Sequence, residues 1–180
     1  MKNKIFNNKK IKIRKPTRKD LKDVKKFMIF VNSLVDEGAK ILKNKKVSLK
    51  EEKEWLEKLL KNIKKKKKVF LMAEVDNIIV GIVSIVLSQG CKEHVGEFGI
   101  LIKKDYRGIG LGKYLMKEII KLAKKELKPS PKIIRLSVHP TNKIAINLYK
   151  KYDFKKVAVI PKQIKHGDKL INEIIMLLYL

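Results

Sequence analysis

The chain has 180 residues, 44% of them hydrophobic and 35% charged, with a formal net charge of +27. That length suits one domain that buries most of its apolar surface, and no apolar run approaches the ~20 residues that span a bilayer. A lone cysteine, Cys91, excludes an internal disulfide, fits a reducing cytoplasm, and reads as a strand-end hydrophobe rather than a nucleophile.

The charge invites a nucleic-acid partner, because phosphate neutralisation drives such binding. Yet lysine outnumbers arginine 41 to 4, and the lysines are spread through most of the chain. Arginine makes the bidentate phosphate and base contacts, so its scarcity argues against nucleic-acid binding as the main function. Lysine enrichment fits an AT-rich genome as well, or in part a hot habitat. The field still attracts anions, a phosphorylated coenzyme included.

Taken in order, residues 1–9 are basic with no apolar segment behind them, which reads as a flexible basic tail and not a secretory signal. Lys10 to Lys15 alternates around Ile11 and Ile13, a short edge strand. Thr17 with Asp20 three positions on marks a helix start, and Leu21, Val24, Phe27, Met28 and Val31 continue at helical spacing. From Ser33 to Val47 the pattern breaks down into a candidate mobile loop. Ser48 and Glu51 form a cleaner capping box, followed by an apolar face of Leu49, Trp55, Leu56, Leu59, Leu60 and Ile63. Lys64 to Lys68 closes that helix, cations at the negative end of its dipole. VFLMAEV and IIVGIVSIVL, joined across Asp76-Asn77, predict an antiparallel hairpin.

The stretch from Gly96 to Leu127 changes period partway. Phe98, Ile100 and Ile102 alternate as in a strand; Arg107 to Gly112 is glycine-rich; Leu111, Leu115, Ile119, Leu122 and Ala123 then recur at helical spacing. A strand feeding a glycine turn that opens a helix presents unpaired N–H groups and a positive dipole end to an anion. The pyrophosphate of a coenzyme is the expected occupant. Pro129 and Pro131 stop the helix, and Ile133 to Val138 forms the next strand, so the crossover is parallel and right-handed. A helix from about Thr141 to Tyr152 follows. The tail reads as two strands, Phe154 to Ile160 and Leu170 to Leu180, joined by a long loop from Pro161 to Asp168. The expected fold is therefore a single α/β (α+β) domain over residues 1–180, a mixed and mostly antiparallel sheet of about seven strands flanked by about four helices.

Two segments, read together, resemble the GCN5-related N-acetyltransferase (GNAT) superfamily. Arg107, Gly110 and Gly112 match its Arg/Gln-x-x-Gly-x-Gly/Ala coenzyme motif, and Asn142, Ala145, Leu148, Tyr149 and Phe154 are similar to its later Asn…Ala…Leu-Tyr…Gly-Phe segment. Asp153 stands where the family has glycine, and aspartate tolerates the left-handed turn required there. The Rossmann and P-loop spacings do not fit the glycine run.

The resemblance implies acetyl transfer from acetyl-CoA to a primary amine by direct attack in a ternary complex, with no metal. The backbone of Arg107, Gly108, Ile109, Gly110, Leu111 and Gly112 would bind the pyrophosphate, with the Arg107 side chain adding its charge. The strand residues Ile100, Leu101 and Ile102 would pair with the pantetheine arm, an N–H near Ile100 or Leu101 serving the developing oxyanion. Tyr149 takes the family position of the general acid, and Asn142 supports its helix. Glu97 is the candidate base, or else a ligand of the acceptor ammonium; His94 and His139 are further candidates. Asp36 and Glu37, acids in a basic chain, are expected to attract a cationic amine. A non-catalytic acetyl-CoA-binding module is the alternative from the same resemblance. The acceptor, small molecule or protein amine, and the oligomeric state, with a homodimer among the options, stay open.

Overall fold

The computed structural model describes residues 2–41 and 45–180, and its first element departs from expectation. Asn7 and Asn8 adopt φ of 44° and 63°, the left-handed pair of a two-residue hairpin turn. They join β1 (Lys2–Phe6) to β2 (Lys9–Arg14), so the expected tail is a paired strand and β2 is not the edge. β1 is held from outside the sheet as well: Phe6 packs edge-on against Tyr114, and Lys2 pairs with Glu118 at 2.7 Å.

Thr17 and Asp20 do begin a helical segment, but a 3-10 turn over Arg18–Lys22 comes first and α1 (Val24–Asp36) follows it. The reason lies in Asp20. Its buried carboxylate accepts from the Thr17 backbone N–H (2.7 Å) and from two nitrogens of Arg14, while the same Arg14 bonds the buried Glu74 at 2.6 and 2.8 Å. Lys26 reaches both acids at 3.2 Å. This four-membered charge network ties β2, the turn, α1 and the third strand together. Burial pushes both carboxyls up, but hydrogen bonds from Arg14 and Lys26, joined at Asp20 by the Thr17 backbone, outweigh it and hold them below the ordinary carboxylate range.

α1 continues through Ser33 to Asp36, so the irregular connection is shorter than the sequence pattern suggests; the part of it at residues 42–44 lies outside the described residues. The Ser48–Glu51 capping box opens α2 (Leu49–Lys64) as expected. The lysine run is not all helix end: Lys65–Lys67 turn, and Lys68 starts β3 (Lys68–Val75) with its ammonium 5.6 Å from the Trp55 ring. Asp76 and Asn77, both left-handed, turn β3 into β4 (Ile78–Leu87). α1 and α2 lie on one face over Phe70, Met72, Ile79 and Ile82.

β5 (Val95–Ile102), α3 (Leu111–Glu126) and β6 (Ile133–Val138) make the expected parallel crossover. α4 (Lys143–Lys150) follows, and with α3 it covers the opposite face of the sheet, around Leu115, Met116, Ile119, Tyr149 and Phe154. Asp153, at φ 63°, makes the left-handed turn after α4. The last two strands, β7 (Lys155–His166) and β8 (Lys169–Tyr179), form one long hairpin. Pro161 therefore sits inside a strand, not in a loop, which is tolerated because β7 is an edge strand bulged between Ile160 and Ile164. Among the described residues the sheet has eight strands in the order β1-β2-β3-β4-β5-β6-β8-β7.

Asp20 and Glu74 titrate lower in the folded chain than unfolded, so their stabilisation is complete above about pH 5 and drains away as pH falls through their folded values. Asp20→Asn should cost about 3 kcal/mol near neutral pH. Urea denaturation should show the gap between wild type and variant narrowing from pH 5 toward pH 2.

Candidate active site

The site starts where two strands stop pairing. β6 is bridged to β5 only at Val95, Gly96 and Glu97, opposite Ile133, Ile134 and Arg135. β4 stays paired with β5 as far as Ile102. Ser88 donates to the Val95 carbonyl and Lys103 donates to the Val80 carbonyl, both at 2.9 Å. Odd-numbered residues of β5 thus direct their backbone at β4, and even-numbered ones direct it away. Beyond Glu97 the strands diverge into a wedge, and the Ile100 N–H and C=O face it with no strand partner. The Ile102 carbonyl, which faces the same way, is taken by the Arg107 Nε at 2.8 Å. Of the two candidates for the oxyanion donor, Leu101 directs its N–H at β4 and Ile100 directs its N–H into the wedge.

The glycine loop sits at the open end of β5. Gly108 and Gly110 have φ of 75° and 90°, left-handed values that an L side chain resists. Gly110 caps α3, and the first helical bond runs from the Tyr114 N–H to the Gly110 carbonyl at 3.1 Å. The N–H groups of Leu111, Gly112 and Lys113 come before that bond and are available to an anion. A Cβ on Gly112 would meet Ile102 Cδ1 at 3.3 Å, so this glycine lets α3 seat closely against the end of β5. The β1–β2 hairpin buttresses the loop: Lys9 donates to the Asp105 carbonyl at 3.2 Å and lies 4.5 Å over the Tyr106 ring.

Arg107 is not free to meet a phosphate. Besides Ile102, its guanidinium holds the Glu37 carboxylate. Asp36 pairs with Lys46 at 2.8 Å, with both side chains exposed. The two acids expected to attract an amine therefore each carry a cation of this chain, and Glu37 belongs to the coenzyme loop's surroundings instead. Three residues on, Lys40 donates to the Thr141 carbonyl at 3.1 Å. The connection after α1 thus touches the loops that follow both β5 and β6, across the wedge.

Glu97 stands at the vertex, half-buried, its carboxylate 3.0 Å from Arg135 of the opposite strand. Its carboxylate lies on the α1/α2 face, where it is already ion-paired. Tyr149 lies on the other face, buried, with its ring edge-on to Phe98 at 5.9 Å and tilted against Phe154 at 5.9 Å. Burial pushes its phenol up to about 12, so it is protonated at neutral pH. The Asn142 side chain caps α4 by accepting from the Ala145 N–H at 3.3 Å. His139, just past β6, accepts the Thr141 N–H at Nδ1 (3.2 Å), with the Thr141 hydroxyl 3.0 Å from the same nitrogen, so this ring atom is engaged by the turn that leads into α4. His94 precedes β5 at the closed end of the wedge, where its carbonyl accepts from Lys132.

A wedge between parallel strands, an N–H facing into it, and an anion cradle at the next helix are together suited in shape and polarity to an extended, phosphorylated acyl carrier. Comparison with known proteins agrees. The acetyltransferase (GNAT) family model matches residues 37–154. The chain belongs to the GNAT family of acetyltransferases.

The GNAT chain is 31% identical over 120 residues to an N-alpha-acetyltransferase of Sulfurisphaera tokodaii, covering 61% of this chain and 70% of that one. It is 34% identical over 85 residues to the L-amino acid N-acetyltransferase AaaT of Escherichia coli, 47% of this chain and 51% of AaaT, so it matches about half of that relative. Its fold is that of yncA of Salmonella typhimurium, solved with its cofactor acetyl-CoA, with a TM-score of 0.77, 19% identity and 94% of each chain covered. It is an acyltransferase by family, and its cradle fits the coenzyme: no atom lies within 4 Å of a Cβ built on Gly108, so the loop's surface is open to a phosphate. Gly110→Ala forces a Cβ onto a left-handed backbone at a cost of about 1–2 kcal/mol. It should weaken acetyl-CoA binding at least tenfold by calorimetry while the circular dichroism spectrum is retained.

Proposed function

We propose that this protein transfers the acetyl group of acetyl-CoA to an α-amino group, that of a free amino acid or of a protein's first residue. The observation that carries the reading is the unpaired Ile100 backbone facing a wedge that ends at the Gly108–Lys113 cradle. The acceptor class is supported by the relatives, one named for N-alpha acetylation and one for L-amino acid acetylation.

The backbone N–H groups at the start of α3 hold the pyrophosphate, and the Ile100 edge pairs with the pantetheine arm as an added strand. When bound, acetyl-CoA supplies an acyl group on a thioester; of the two protons the acceptor ammonium loses, one is released and one leaves on the thiol. The Ile100 N–H faces the carbonyl oxygen as charge develops there. Tyr149 donates its phenolic proton toward the leaving sulfur. Its burial favours this donor state, since nothing at neutral pH ionises it. Glu97, anchored by Arg135 at the vertex, takes the proton from the amine directly or through water. Asn142 holds α4, and with it Tyr149, in place.

Removing the Tyr149 hydroxyl separates an enzyme from a module that only binds the coenzyme. Tyr149→Phe keeps the ring packing against Phe98 and should lower kcat by about 10²–10⁴ with acetyl-CoA affinity unchanged. Wild-type protein that binds acetyl-CoA but acetylates neither amino acids nor N-terminal peptides would sink the proposal.

A further inference from the structure

On the α1/α2 face of the sheet, the wedge has one more polar group that the mechanism above does not use. Side chains alternate along β6, so Ser137 shares this face with Arg135 while Leu136 and Val138 point into the core under α3. Ser137 lies two residues beyond the vertex pair, about 7 Å farther along the strand in the direction in which the wedge opens. Across the opening stands Gly99, exposed, with no heavy atom within 4 Å of where its Cβ would be. The floor between them is therefore open.

Glu173 of β8 lies on the same face of the sheet, beside Ser137 on the far side of β6 from the wedge. Its neighbour two residues on, Ile175, is the register partner of Ser137, which puts Glu173 on the Ser137 face. The Ser137 hydroxyl donates to Glu173 Oε1, which orients the carboxylate and leaves Oε2 without a hydrogen-bond partner among the described residues. The other two half-buried acids around the wedge, Glu37 and Glu97, each hold an arginine. Glu173 has no lysine or arginine within ion-pair distance among the described residues, in a chain of net charge +27. A half-buried carboxylate oriented by a hydroxyl and left without a cation is matched to a cation from outside.

We infer that Glu173, oriented by Ser137, receives the acceptor's α-ammonium group and holds it over Gly99 beside the Ile100 N–H. This rests on the acetyl-transfer reading above and names the residue that recognises its second substrate. An α-amino group with an ordinary value near 7.7–8.0 arrives at neutral pH mostly as the ammonium. Glu173 binds that form, and Glu97, one step down the wedge, receives the proton.

The probes are L-alanine and an alanine-initiated tetrapeptide amide, with the N-acetylated peptide as control. Glu173→Gln keeps the volume and the Ser137 contact while removing the charge. It should raise the acceptor KM at least tenfold with the acetyl-CoA KM unchanged. Ser137→Ala should raise the acceptor KM about two- to fivefold, and Glu173→Asp should fall between wild type and Glu173→Gln. Calorimetric titration of the peptide into coenzyme A-saturated protein should show the same tenfold loss in Glu173→Gln. An active wild type whose acceptor KM and peptide affinity are unmoved by Glu173→Gln overturns this inference and leaves the acetyl-transfer reading intact. A fall in kcat at constant acceptor KM overturns it too. Wild type that binds acetyl-CoA yet neither acetylates nor binds either probe overturns the acceptor class and this inference together.

Discussion

Everything at the site depends on the separation of β5 from β6 after Glu97 and Arg135. Backbone N–H and C=O groups are obligatory hydrogen-bonding groups, and a parallel pair that simply continued would satisfy them. Here β5 follows β4 as far as Ile102 while β6 follows β8 as far as Val138, so the two halves of the sheet part company. On the α3/α4 face, Phe98 packs at the fork against Tyr149 and Phe154, three rings with centroids 5.9–6.1 Å apart. That cluster joins β5 to α4 and to the start of β7 on this face.

Much of this was legible in the sequence because it is local. The Asp76-Asn77 hairpin, the Ser48–Glu51 box and the period change from Phe98 to Leu111 each follow from a few adjacent residues, while the left-handed Asp153 followed from the family resemblance. The misreadings are cases where a distant partner decides. Residues 1–9 carry few apolar side chains and read as a tail, yet Phe6 finds Tyr114 and Lys2 finds Glu118; the Asn7-Asn8 turn was the available signal. Pro161 read as a loop because a proline is excluded from central strands, and only the sheet order shows that β7 is an edge. Leu101 and Ile100 were equivalent on paper, since the choice between them depends on which neighbour strand each backbone faces. Glu173 gave no signal at all: it is one glutamate in a tail of alternating residues until Ser137 is placed beside it.

The charge of the chain is organised by the same rule. Asp20 and Glu74 are buried only because Arg14 and Lys26 neutralise and hydrogen-bond them, and desolvation alone would push both toward the neutral acid. The network spends two of the chain's acids far from the wedge to pin β2 and α1 to β3. At the wedge the pattern changes: Glu37 and Glu97 are matched one-to-one by arginines. Three of the chain's four arginines, Arg14, Arg107 and Arg135, therefore hold acids in fixed geometry. The lysines, mostly solvated, supply the general positive field instead.

Arg107 shows what that division of labour does at the coenzyme loop. Its guanidinium is committed to Glu37 at the end of α1 and to the Ile102 carbonyl at the end of β5. With the guanidinium engaged, what the Gly108–Lys113 segment offers an anion is its backbone N–H groups and the α3 dipole. An anion that drew Arg107 toward itself would have to take it from Glu37, and Glu37 begins the connection whose Lys40 reaches Thr141 beyond β6. The connection after α1 is thus tied to the loops on both sides of the wedge by one ion pair and one hydrogen bond.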